Sequence, residues 1–192
     1  MSNKIHILEY LEKSKDVLID CITNADMIAT VEVAAEEMVK RLKDGQKIIS
    51  IGNGGSMSDA MHFASELSGR YKETRSPIAA MAISDPGAMS CIANDFGYEF
   101  VFSRQVIAVG EPRDILLAFS TSGKSLNVIR AMDAAQKMGM IVIGITGIHS
   151  AKEFTSLCDI CIKIPSNETG RIQETTIMII HLLVELIETS LP

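Results

Sequence analysis

The chain has no surplus of basic residues: 18 Lys and Arg against 24 Asp and Glu leave a formal net charge of -6. The clustered positive charge that general nucleic-acid affinity needs is therefore missing. An anionic small molecule is not excluded, because a local site can hold it with backbone N–H groups. Long apolar runs are missing too. No stretch reaches the roughly 18 uninterrupted apolar residues of a membrane span, and "TTIMIIHLLVELIE" is short and interrupted by His181 and acidic residues. The opening "MSNKIHILEY" lacks the apolar segment and cleavage site of a secretory signal. With 22% charged and 47% hydrophobic residues, the composition excludes disorder and can fill a substantial core. The expectation is a cytoplasmic protein with no membrane or nucleic-acid partner.

Cysteine is sparse. Of Cys21, Cys91, Cys158 and Cys161, the last two form an isolated "CDIC". A redox pair normally opens a helix, whose dipole lowers a thiol pKa, and a zinc knuckle needs a second pair. "CDICIKIP" alternates like a strand, and strand geometry sends positions three apart to opposite faces. The expectation is a buried, inert strand with its thiols pointing apart.

What is present is periodicity. Ile5, Leu8, Leu11, Val17, Leu18 and Cys21 recur at mostly helical spacing. "TNADM" breaks the run, and Val31, Ala34, Met38 and Leu42 continue it to a C-terminal cap at Gly45. From there the period changes. "KIISI" (47–51), "IAAMAIS" (78–84), "DILLAFS" (114–120), "MIVIGIT" (140–146) and "DICIKIP" (159–165) are short, apolar and separated by helical segments. Such strands indicate a parallel sheet covered on both faces. The expected fold is α/β: a three-layer sandwich with a five-stranded parallel sheet plus two N-terminal helices. It forms one domain, 1–192, with 1–45 a helical extension and 46–192 the core.

Two strands run into loops of small polar residues, "GNGGS" (52–56) and "STSGKS" (120–125), and each loop opens a helix. That places hydroxyls and free N–H groups at a positive helix end, the makings of a phosphate cradle. Neither loop is a nucleotide fingerprint. A P-loop needs glycine where Ala118 stands, and a dinucleotide motif counted from Gly52 needs it at Met57. The helix after "GNGGS" carries His62 and Glu66 four residues apart, a spacing suited to a metal or to proton transfer. The last helix carries Gln173 and His181 in apolar surroundings; eight residues turn about 800°, which leaves the two on neighbouring parts of one face. His181 alone could be a core imidazole satisfied by a carbonyl, but a helix this apolar that retains both Gln and His points to function more strongly than either residue singly.

Taken jointly, "GNGGS", "DAMHFASELSGRY", "AISD", "NDFGYEFVFSRQV", "STSGKSLNVI" and "RIQETTIMIIH" resemble the bacterial phosphoheptose isomerases. These are sedoheptulose 7-phosphate isomerases of the sugar isomerase (SIS) fold, a flavodoxin-like sandwich. The resemblance covers essentially the whole chain. It implies that Asn53, Gly54, Gly55, Ser120, Thr121, Ser122 and Ser125 hold the substrate, the second loop gripping its phosphate and the first its sugar. It implies that Asn94 and Asp95 reach sugar hydroxyls, and that His62, Glu66, Gln173 and His181 bind one Zn²⁺ per subunit. Gln173 and Glu66 also face the substrate. Glu66 and His181 are the implied catalytic pair in an enediol(ate) isomerisation, and the assembly is a homotetramer. The chain departs from the pattern at Ser65, at "ETT" (174–176) and at "PGAM" (86–89), away from the implied ligands. The alternative is a non-catalytic relative, a scaffold for the replication initiator or a sugar-phosphate sensor.

Overall fold

The computed structural model describes residues 2–191. Helices α1 (Asn3–Thr23) and α2 (Ala25–Lys43) meet at Asn24, which serves both. Its N–H donates to the Cys21 carbonyl at the end of α1, and its side chain accepts the Met27 N–H at 2.9 Å to start α2. An Asx residue suits this junction because its short side chain competes with the helix backbone. Gly45, with φ of +82°, closes the second helix.

The sheet comprises β1 (Ile48–Ile51), β2 (Ala80–Ala82), β3 (Ile115–Phe119), β4 (Ile141–Gly147) and β5 (Ile160–Ile164), all parallel, in the order β2-β1-β3-β4-β5. Five sequence segments thus become five strands, each trimmed by a residue or two except at the end of β4. The strands are buried on both faces, and the layer each residue faces alternates with period two. Ile48, Ile115, Leu117 and Ile143 face one layer, with Met38 of α2, Phe63 and Leu67 of α3 (Gly55–Ser68), and Leu183 of α8 (Thr169–Ser190). Ile49, Ile51, Leu116 and Val142 face the other. There they meet Val106 of α5 (Ser103–Val109), Val128 and Met132 of α6 (Leu126–Lys137), and Phe154 of α7 (Lys152–Ser156). The remaining helix, α4 (Pro86–Phe96), borders this second layer through Ile92.

Strand order reverses between β1 and β3, which are neighbours in the sheet. Their outgoing loops are the two small-residue loops, and a cleft at such a switch point is where open α/β sheets bind ligands. Helices α3 and α8 pack along each other in the same direction: Gly55 meets Gln173, and about two turns further along each helix His62 meets His181. The covering layers treat α1 and α2 differently. Helix α2 buries Met27, Val31, Ala34, Ala35 and Met38, whereas α1 buries only Cys21 and leaves Ile5, Leu8, Leu11 and Ile22 exposed.

The "CDIC" expectation is not met. Cys158 lies ahead of β5, so strand alternation does not govern it, and both cysteines pack against the same core layer. A hydrogen bond to Cys161, and then burial, push the Cys158 thiol above its ordinary range. The pair converges instead of diverging.

Candidate active site

The first loop ends in Gly54, which starts α3 without a side-chain cap. Ser125 likewise starts α6 without one, and Glu168 starts α8 without one. By contrast, Asn24 and Asp85 cap α2 and α4 with their own oxygens. First-turn N–H groups not satisfied by a side chain need another partner, and an anion serves. Near α6, Thr121, Ser122 and Lys124 line a cavity of about 220 Å³ together with Gly147, His149, Ser166, Asn167 and Thr169. Gly123 forms the tight turn of this loop with φ of +65°, and a Cβ there would crowd Ser150, Ala151 and Phe154. Ser120 is buried and structural: its Oγ accepts the Gly123 N–H at 3.1 Å, and its carbonyl accepts from Thr146 at 2.6 Å. Ser122 accepts the Lys124 N–H at 3.3 Å from an exposed position.

In the first loop Asn53 is locked by its neighbours. Its amide donates to Asn127 at 2.8 Å and accepts back from Asn127 at 2.9 Å, while the Tyr98 hydroxyl donates to it at 3.1 Å. Asn94 donates to Asp95 at 2.8 Å on the exposed end of α4. Asp95 also accepts from Cys91 at 3.7 Å, one turn back on the same helix, and Tyr98, three residues past Asp95, makes the hydrogen bond to Asn53.

Donor atoms of His62, Glu66 and His181 lie within 4.8 Å of one another. His62 Nε2 is 3.0 Å from His181 Nε2 and 3.1 Å from Glu66 Oε1. Tetrahedral zinc, with bonds of about 2.0–2.1 Å, sets its ligands about 3.3 Å apart. Two imidazoles and a carboxylate at this spacing suit a divalent ion of that type. Gln173 lies against Gly55, where a Cβ would overlap its amide and displace it. Tyr71 stacks on His181, with ring centroids 5.4 Å apart and planes 21° from parallel.

One turn before His62, Asp59 is buried with Oδ2 unpaired. Burial pushes its carboxyl up to about 6 from 3.8, with His62 pulling the other way. An acid here keeps its proton further into the neutral range than a surface aspartate does.

The SIS domain family model matches residues 9–147. The phosphoheptose isomerase of Cytophaga hutchinsonii is 50% identical over 186 residues, 96% of this chain and 97% of that protein. That of Tolumonas auensis is 46% identical over 186 residues, 96% of each. The solved phosphoheptose isomerase from Neisseria gonorrhoeae superposes with a TM-score of 0.91 at 35% identity, covering 98% of this chain and 100% of that one. The chain belongs to the phosphoheptose isomerase family of SIS-domain proteins.

Of the residues that the sequence resemblance implicates, the structure brings His62, Glu66 and His181 to one point and sets Gln173 against the start of α3. It places Thr121 and Ser122 in the cavity at the second loop, and Asn53 in an amide network. Sequence reasoning missed Asn127, Tyr98, Tyr71 and Asp59. "NDFGYEF" contains Tyr98 and "SGRYKE" contains Tyr71, yet neither has a spacing signal, because each contact crosses between elements.

Proposed function

We propose that this phosphoheptose isomerase family member interconverts sedoheptulose 7-phosphate and glycero-manno-heptose 7-phosphate through an enediol(ate). It is an intramolecular oxidoreductase supplying heptose for lipopolysaccharide or capsule, working in the cytoplasm. The observation that carries the reading is the His62–Glu66–His181 cluster, built from α8 and from the helix that the first small-residue loop opens. A scaffold or a sensor needs no such cluster.

The phosphate end sits against the loop of Ser120, Thr121, Ser122 and Ser125, whose hydroxyls and backbone amides hold it, with Lys124 lining the same cavity. Asn53, Gly54 and Gly55 hold the sugar, with Asn94 and Asp95 at its hydroxyls. His62, Glu66, Gln173 and His181 would hold one Zn²⁺ per subunit, which would supply a Lewis acid toward the sugar oxygens. Glu66 takes the proton from C1 of the ketose while His181 gives a proton to the C2 oxygen. The enediol then loses its O1 proton and regains a proton at C2, which yields the aldose. Glu66 has two oxygens, so one can stay as ligand while the other works as base.

The unpaired apolar faces support a homotetramer. Ile22, Ile28, Met178, Leu182 and Leu186 line a groove of about 480 Å³ where α1, α2 and α8 meet. A lone subunit exposing this much apolar surface is unusual. A single-subunit mass in sedimentation equilibrium would remove that assembly.

The direct test supplies sedoheptulose 7-phosphate and measures the aldose. Product is expected, to fall on treatment with a chelator, and to return with zinc. No product from well-folded, zinc-loaded protein would sink the reading.

A further inference from the structure

The two helices that carry the cluster are joined a second time, beyond it. Arg75 lies in the loop after α3, and its Nε donates to Glu188 of α8 at 2.8 Å; the side chains are only 6% and 5% exposed. The same guanidinium donates to the backbone carbonyls of Glu66 and Leu67, at 2.9 Å each. Glu66 is itself one of the three cluster residues, so Arg75 holds its main chain directly. On α8, Glu188 follows His181 by seven residues, which is two turns and nearly the same face. The other Glu188 oxygen accepts the N–H groups of Lys72 and Glu73 at 3.1 and 3.4 Å. That fixes the loop beginning at Tyr71, the residue stacked on His181. Burial works against the Glu188 charge, yet the N–H groups of residues 71–73 and Arg75 outweigh it and hold the carboxylate below its usual range.

We propose that Arg75 and Glu188 are positioning residues. Their buried pair sets the separation of Glu66 from His181 by bracing the end of α3 against α8, and sets the His181 ring through Tyr71. The bracing is directional. A guanidinium has five donors in a fixed fork, and here they go to one carboxylate and to the carbonyls at a helix end. The Glu66 carbonyl, which α3 cannot satisfy internally, finds a partner in Arg75, and the Leu67 carbonyl accepts from both Arg75 and the Ile78 N–H, which ties the capping of this helix to the register of its neighbour. Neither residue touches the phosphate loop. Their loss should disturb the reacting end of the site and spare the gripping end.

This inference rests on the metal-dependent isomerase reading above. Its test measures zinc affinity by competition with a chelating dye, alongside kcat and KM, for wild type, Glu188→Gln, Glu188→Asp and Leu117→Ala. Leu117 is buried in the same core layer but lies on β3, so its variant controls for lost stability alone. Measurements are made well below each variant's unfolding temperature. Glu188→Gln is expected to weaken zinc about 10–100-fold, as loss of groups supporting metal ligands typically does, and to lower kcat with KM little changed. Glu188→Asp, which keeps the charge, recovers part of both. Leu117→Ala unfolds earlier but binds zinc as wild type does. Unchanged zinc affinity in folded Glu188→Gln, or equal weakening in Leu117→Ala, would overturn the positioning role and leave the isomerase reading intact. Wild-type protein that binds no zinc would overturn both.

Discussion

Glu66→Gln should abolish the wash-in of solvent deuterium at the carbon beside the sugar carbonyl, while sugar-phosphate binding remains measurable. The substitution keeps the size of the side chain and an oxygen that can still face His62, but it removes the basic carboxylate. General acid–base catalysis contributes typically about 10²–10⁴-fold per group, so kcat should fall on that order. Exchange is the sharper readout, because an enediol(ate) can lose its carbon-bound proton to solvent and a hydride shift cannot. Wild type should incorporate deuterium at least partly. Near wild-type exchange in Glu66→Gln would make Glu66 a ligand only and pass the role of base to His181, its neighbour across the 3.0 Å His62 contact.

The second large effect is expected at the other end of the substrate. Ser122→Ala combined with Ser125→Ala should raise KM strongly and leave kcat comparatively intact. Ser122 is exposed at the mouth of the cavity, and Ser125 sits at the start of α6 with no capping hydrogen bond to occupy its hydroxyl. Hydrogen bonds to a charged group are worth about 1.5–3 kcal/mol each, so losing two should cost on the order of 10²-fold or more in apparent affinity. Ser120 is the wrong residue for this experiment. Its hydroxyl accepts the Gly123 N–H inside the turn, and its loss would disturb the loop itself. A dephosphorylated heptulose turned over as well as the phosphate ester would refute the phosphate assignment. The paired outcome, kcat moved by Glu66 and KM by the serines, would separate the reacting end of the cleft from the gripping end.

Much of this site was legible in the residues before any fold was known. The loop after β3 was legible and does line a cavity, and the four-residue spacing of His62 and Glu66 announced a helix-borne pair. The same reasoning failed for "CDIC", because it extended strand alternation to Cys158, which lies outside β5. It also could not see Asn127. That residue holds Asn53 in place from a helix 74 positions later, and nothing in "SLNVI" marks it.

The division follows from the range of the forces involved. Period-two and period-3.6 patterns, turn residues and caps act within a few positions, so the sequence alone determined five parallel strands, the leading helices and the two loops. Which side chains meet depends on how helices α3 and α8 lie along each other. That is decided by the packing of Phe63, Leu67 and Leu183 against the sheet and by the glycine at 55, which lets Gln173 close in. Only the tertiary structure could therefore bring His62 to His181, 119 residues away, stack Tyr71 upon it, and brace both helices through Arg75 and Glu188. Contacts of that span leave no period in the chain, because they arise from the crossing of elements and not from any one element's geometry.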